Sequence, residues 1–401
     1  MEFESATKAA ERLGVTVRAV QKWAKSGKLP GAKQIGRSWL IPVDAQVTES
    51  AVRTQPGESQ PVKTAAVSKN QRIPFPFLNR SFEPGTAWKA ASSVEDKDDR
   101  AIALGEYYYF CGQCERSVHE LEPYLRHDDS CLALSANLIY LFDCLSLGNH
   151  ADIHEVIEYI RQRVGRVLAT ESDPVIRANA ILLGTTASVL LRSPQADVVA
   201  LEKVMHVLPQ PVQYFACYVL SHDAYLKENY ERSCAIAETA LAMGGERYPV
   251  AFNFLRTMLC ISLMCQRKVE EAKKCFEKLW DRVWQDGGIE VIGEHYLIML
   301  GLPDLCLKWQ KPDEFKQLLA VTKRFGVTWQ KMQEQVFEKF HAKGLTLMEF
   351  NIASLYNRGW AVKEIALHMD ISERMVKHHV AMIYEKLGIG NREELRKQTF
   401  I

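Results

Sequence analysis

Arg374, Lys377 and His378 stand close together near the C-terminus, and Arg18, Gln21 and Lys22 stand close together near the N-terminus. Guanidinium, ammonium, imidazole and amide groups of this kind hydrogen-bond phosphate oxygens and base edges, so the chemistry on offer is recognition of a polyanion. Such groups read a duplex only if something rigid presents them together. In the C-terminal case that is a helix. Val376, Val380, Ile383 and Leu387 recur at i, i+4, i+7 and i+11, the spacing of a buried stripe. At 100° per residue, Arg374, Lys377, His378 and Ala381 then fall on the opposite side. Ser372 is placed to cap the helix, its hydroxyl accepting from a first-turn amide.

A turn at Met369-Asp370-Ile371 and a second helix precede this one, with Ile365 and Ala366 just ahead of the turn. Further upstream, Thr346 and Glu349 have the spacing of a capping box and Ile352 and Leu355 form an apolar stripe. Two short helices joined tightly, the second with a basic face, make a helix-turn-helix. By spacing alone, a small helical bundle with an ordinary solvated face is an equal reading. The stretch Leu345–Arg396 resembles the LuxR-type DNA-binding domain, a four-helix unit of bacterial transcription regulators. The resemblance is carried by Leu345-Thr346, Glu349, Gly359, Lys363-Glu364-Ile365-Ala366, Ile371-Ser372, Val376-Lys377, His379, Ile383, Lys386-Leu387-Gly388-Ile389 and Asn391-Arg392. It implies that Lys377, His378 and Ala381 face the major groove and that His379 lies against the backbone. Met375, Ala381 and Leu347 depart from the family's usual Thr, longer polar residue and Pro.

The first 45 residues repeat the plan. Ala9, Ala10 and Leu13 line a short helix with Ser5 as a cap; Gly14 breaks it. Thr16 caps the next, Val17, Val20 and Ala24 give it a buried stripe, and Gly27 ends it. Two extended runs, Ala32–Ile35 and Trp39–Ile41, follow around Gly36-Arg37-Ser38. The stretch Ala9–Pro42 resembles the excisionase and MerR-like winged helix-turn-helix. That resemblance implies that Thr16, Arg18, Gln21 and Lys22 approach the groove and that Arg37, at the wing tip, approaches a phosphate or the minor groove. The plainer alternative is the charged surface of a protein-docking module.

Charge is distributed to match. Residues 1–45 carry eight Lys/Arg against four Asp/Glu and residues 341–401 carry nine against seven, within a chain whose net charge is only +1. Basic ends around an acidic middle suit contact with phosphates at the termini. Apolar content of 47% and charged content of 25% are those of a soluble globular protein. The longest apolar run, Cys131–Leu147, is interrupted by Asp143, and no signal-peptide core is present, so the chain is expected in the cytoplasm and off the membrane.

Residues 46–97 read as a linker, Thr/Ser/Gln/Pro-rich as far as Arg72 and able to span roughly 40 Å root-mean-square. Ile73–Leu78 (IPFPFL) is the exception, with aromatics that should dock on the next domain. Residues 98–341 are helical in pattern, with breaks at Cys111-Gly112-Gln113, Gly148-Asn149-His150, Arg192-Ser193-Pro194, Lys227-Glu228-Asn229, Gln266-Arg267-Lys268 and Trp309-Gln310-Lys311. This spacing marks a solenoid of about six helix pairs. Asn229–Leu241 and Lys268–Leu279 place small residues, Ala235, Ala237, Ala240 and Ala272, where a repeat's second helix packs closely. The pattern weakly resembles tetratricopeptide repeats. Tyr107, Tyr108, Tyr109, Tyr140, Tyr214, Tyr218 and Tyr225 are candidates to line a concave face, or else core fillers; His119, His127, His154, His206 and His222 share no ligand spacing and read as surface or satisfied core residues. The Cys111/Cys114 pair has no second pair at zinc-ligand spacing. No phosphate-binding loop or catalytic motif appears, so no metal, cofactor or enzymatic activity is expected.

The expected architecture is therefore mainly α: residues 1–45 a winged helix-turn-helix, 46–97 a largely disordered linker, 98–341 a TPR-like α-solenoid, and 342–401 a LuxR-type unit. The function this predicts is a transcription regulator on double-stranded DNA, homodimeric there through Glu394, Leu395 and Gln398. Its middle would sense a small molecule, peptide or protein and hold the C-terminal unit inactive. The alternative is an interaction scaffold or phage-type recombination accessory factor, but a docking module has no need of Lys and Arg on both helix faces.

Overall fold

The computed structural model describes residues 3–13, 15–25, 29, 31–35, 38–43, 45, 72–192, 197–244, 247–337 and 344–397. They belong to two compact units, Met1–Lys69 and Asn70–Ile401.

The first unit runs β1 (Phe3–Ser5), α1 (Ala6–Leu13), α2 (Val17–Lys25), β2 (Lys33–Ile35), β3 (Ser38–Pro42). β3 is central and antiparallel to both neighbours, pairing Ile35 with Ser38 and Phe3 with Pro42. The β2–β3 hairpin is the expected wing. β1 escapes notice in the sequence because three residues are too few to show alternation. Ala9, Ala10, Val20, Trp23, Ala24, Leu29 and Ile41 form the core. Val17 does not join it: the residue is 37% exposed, and the buried stripe of α2 is Val20, Trp23 and Ala24. Arg12 pairs with Glu4 at 2.7 Å and donates to the Ala45 carbonyl at 3.3 Å, tying α1 to the end of the unit. The expected helix breaks at Gly14 and Gly27 and the wing tip at Gly36-Arg37 lie outside the described residues.

The second unit starts earlier than expected. Part of the stretch read as linker, residues 46–71, lies outside the described residues, but from Arg72 the chain is packed. Phe75, Phe77 and Leu78 are buried, Phe75 edge-on to Phe215 and Phe77 edge-on to Tyr107. The buried Glu106 carboxyl accepts from the Phe77 and Leu78 amides at 3.1 and 2.8 Å. A short helix, α3 (Ala87–Ser92), follows. Five helix pairs come next: α4 (Lys97–Phe110) with α5 (Cys114–Leu121), α6 (Ser130–Leu147) with α7 (His150–Thr170), α8 (Pro174–Leu190) with α9 (Val198–Val204), α10 (Gln210–Leu226) with α11 (Tyr230–Gly244), and α12 (Pro249–Cys265) with α13 (Val269–Gln285). The first helix of every pair is followed within two residues by one with positive φ: Gly112, Gly148, Arg192, Glu228 and Arg267. That left-handed turn reverses the chain and sets the repeat. Ala237, Ala240 and Ala272 are buried at close-packed positions, whereas Ala235 is exposed on the outer side of α11.

The inner face of this stack is not an open groove. The segment after α13 folds into it through α14 (Glu290–Gly293): Ser146 of α6 donates to Glu290 at 2.9 Å, Tyr109 of α4 to Glu294 at 2.5 Å, and Tyr218 of α10 meets His295 at 3.0 Å. After α15 (Leu302–Leu307), the long α16 (Pro312–Phe337) closes back on α6, stacking Phe325 on Phe142. Five of the seven candidate tyrosines, Tyr108, Tyr109, Tyr214, Tyr218 and Tyr225, are accordingly core residues. Among the described helices α6 alone is long and apolar enough to cross a membrane, by length and composition. Its Asp143 is buried and accepts from Ser117 at 2.6 Å, and the helix is a central element of the bundle.

The head of the second unit is α17 (Leu347–Asn357), α18 (Val362–Met369), α19 (Glu373–Leu387) and α20 (Arg392–Lys397). Phe350, Ile352, Leu355, Ile365, Val376, Ile383 and Leu395 are among its buried residues.

Candidate nucleic-acid interface

In the head, the capping box forms as its spacing requires: the Glu349 amide donates to the Thr346 hydroxyl at 3.3 Å and the Thr346 amide to the Glu349 carboxylate at 2.7 Å. The same carboxylate receives Lys386 of α19 at 2.6 Å, so one acid fixes the start of α17 and its crossing with the recognition helix. Asp370 adopts φ 52° in the turn between α18 and α19. A left-handed residue there reverses the chain in a single step, which aims α19 away from α18. Ser372 caps α19, accepting from the Met375 amide at 3.2 Å.

Val376 and Ile383 are fully buried, while Val380 and Leu387 are half-buried at the edge of the stripe. Arg374, Lys377, His378 and Ala381 are all exposed on the far side, Ser372 is exposed at the tip, and His379 is half-buried with its ring 6.0 Å from that of His378. The N-terminal unit presents the same arrangement. The Thr16 hydroxyl accepts from the Ala19 amide at 3.3 Å, and Thr16, Arg18, Gln21 and Lys22 are exposed. Val20 and Val376 are both fully buried, and the exposed residues keep one register relative to them. The cap lies four residues before the valine, and the outward side chains lie two before and one, two and five after it. Lys25 occupies the place that Ala381 holds in α19 and is exposed, which adds a basic group to the N-terminal face. Arg37 lies outside the described residues.

The head is seated on the helical body through the side away from α19's open face. His368 Nε2 lies 2.8 Å from the Leu300 carbonyl, and Trp309 donates to Asp370 at 3.0 Å. Arg358 donates to the hydroxyls of Tyr230 and Tyr225, and Arg267 meets Glu364 at 3.4 Å. Gly301, at φ +77°, passes so close to Met369 that a Cβ there would lie 2.7 Å from its sulfur. These contacts leave Arg374, Lys377, His378 and Ala381 uncovered. Covering of the reading face by the middle, one form the expected inactivation takes, does not occur in this arrangement.

The expected dimer contact changes in one member. Leu395 is 1% exposed and belongs to the head's own core, because α20 must bury its single apolar residue against α17. Glu394 is exposed but is engaged locally, accepting from the Gly390 amide and the Asn391 side chain at 2.8 Å each. Gln398 lies outside the described residues. Of the histidines, His222 is buried with Nδ1 lacking a hydrogen-bond partner among the described residues, unlike the satisfied core residue expected.

Comparison with known families agrees with both ends of the chain. Residues 5–45 match the model described as a helix-turn-helix domain, and residues 343–397 match that of the bacterial regulatory proteins of the luxR family. No curated protein and no solved structure matches the chain significantly. The chain thus carries an excisionase-like helix-turn-helix at one end and a LuxR-type helix-turn-helix at the other, both of DNA-binding families, around a helical middle of TPR-like character.

Proposed function

We propose that this protein is a bacterial transcription regulator that grips double-stranded DNA with both terminal units. In this reading Arg374, Lys377, His378 and Ala381 face the major groove, with Ser372 and His379 against the backbone. At the other end Thr16, Arg18, Gln21 and Lys22 do the equivalent work, with Arg37 reaching from the wing. The observation that carries it is the shared register: two unrelated helices present polar and basic groups at the same offsets opposite a buried valine. Association as a homodimer on DNA would use the exposed side of α20 rather than Leu395. The helical body would respond to an effector, acting through its seat on the head, and DNA as the ligand places the site of action in the cytoplasm.

The test is duplex affinity measured by fluorescence anisotropy across a salt series. Lys377→Ala should weaken binding roughly tenfold and lower the salt-dependence slope by about one ion. An unchanged affinity and slope would remove α19 from the interface.

A further inference from the structure

A cavity lies where the helical body meets the head. Phe142, Tyr218, Phe325 and Trp329 wall it from the body, and Phe350 of α17 closes it from the head. Its volume is about 50 Å³. That exceeds the ~10–15 Å³ needed for one water but admits only a few non-hydrogen atoms.

Most of its polar groups are already satisfied from within. Glu294 accepts from Tyr109. His295 Nδ1 lies 2.8 Å from the Val291 carbonyl, which can only accept, so Nδ1 holds the proton and Nε2 takes the Tyr218 hydroxyl. Two groups are left over. His222 is 5% exposed, and its Nδ1 has no hydrogen-bond partner among the described residues. Arg192, at the left-handed turn after α8, rests over the Trp329 ring at 5.6 Å, and no ion pair with an acid is seen for it among the described residues. Nearby Arg358 adds to the positive field and donates only to neutral tyrosine hydroxyls. Glu294 is engaged by Tyr109 and His295 instead, and burial pushes its carboxyl up to about 8, which weakens its negative charge near neutral pH. A guanidinium held in an aromatic-walled cavity without an ion-pair partner is costly to maintain, and an anion that enters relieves the cost.

We propose that this cavity is a binding site for a small organic carboxylate, seated with its charge on Arg192 and His222 and its short apolar tail against Phe350. The guanidinium fork matches the two oxygens of a carboxylate. The aromatic walls suit a methyl or propyl chain and disfavour a phosphate dianion, whose hydration they cannot replace. Chain length is limited by volume: a longer tail has to displace Phe350 or Trp329. Because Phe350 belongs to the DNA-binding head, this is where an effector would be felt, a role that rests on the regulator reading above.

The experiment titrates the full chain with sodium acetate, butyrate and hexanoate at constant ionic strength, following tryptophan fluorescence, with butyramide as the uncharged control. Butyrate should give a saturable change and butyramide none. Arg192→Gln should weaken butyrate at least tenfold, and Arg192→Lys should recover part of it. Equal responses to butyrate and butyramide, or undiminished binding by Arg192→Gln, overturn the site. Phe350→Ala provides a second arm should the Arg192 variants not fold: enlarging the cavity should shift preference from butyrate to hexanoate, and an unaltered preference counts against the site. Duplex affinity of the same preparations without carboxylate is read in parallel. Lost carboxylate binding with intact DNA binding condemns the cavity alone, whereas intact carboxylate binding with no DNA binding condemns the regulator reading.

Discussion

Glu349 shows how much one side chain can hold in this head. Its carboxylate is at once the return partner of a capping box and the acceptor of Lys386, two elements away. Burial pushes the acid upward, but the Lys386 ammonium and the Thr346 groups outweigh it, and the net displacement is below the usual carboxylate range. A carboxyl whose folded pKa is depressed stabilises the fold above its ordinary value and loses that contribution as pH falls through the folded value. Glu349→Gln should therefore cost about 1–2 kcal/mol at pH 7, the lower part of the range for charged hydrogen bonds because Lys386 is partly solvated. Urea unfolding of both proteins at pH 7 and near pH 3.5 checks it: the gap should narrow in acid. An equal gap at both pH values would assign the loss to packing instead.

At the scale of elements, the repeat is set by its turns as much as by its helices. Gly112 and Gly148 adopt the left-handed conformation at no steric cost, while Arg192, Glu228 and Arg267 adopt it as ordinary L-residues. Arg267 is engaged with Glu364 of the head and Arg192 faces the cavity, so each has something to do there. Among the described residues Glu228 makes no such ion pair or hydrogen bond with the head. Glu228→Gly should accordingly raise stability by up to about 1 kcal/mol, and a lowered melting temperature would show that its side chain contributes more than its backbone loses. The breaks themselves were legible because Gly, Pro and polar clusters interrupt helical periodicity. Both recognition helices were legible too, since their two faces differ in polarity. What could not be read was anything joining distant segments. The return of Glu290–His295 into the stack and the seat of Arg358 between Tyr225 and Tyr230 leave no periodic trace. Val17 was misplaced for a related reason: periodicity admits both Val17 and Trp23 to the stripe of α2, and only packing volume chooses between them.

Viewed as a whole molecule, the chain keeps a helix-turn-helix in each of its two units, and the proposed function puts both on a duplex. In the second, the reading face of α19 stays open while the opposite side of the head rests on the helical body. Regulation through that seat would change how the head is held rather than whether its face is covered. The measurement closest to the core of this account is selection by the full chain from a pool of random-sequence duplexes, compared with the Lys377→Ala, His378→Ala double variant. The account predicts that the unaltered chain enriches a defined sequence and that the variant loses or changes that sequence while remaining folded. Enrichment of the same sequence by both proteins, or of none by the unaltered chain, would contradict it.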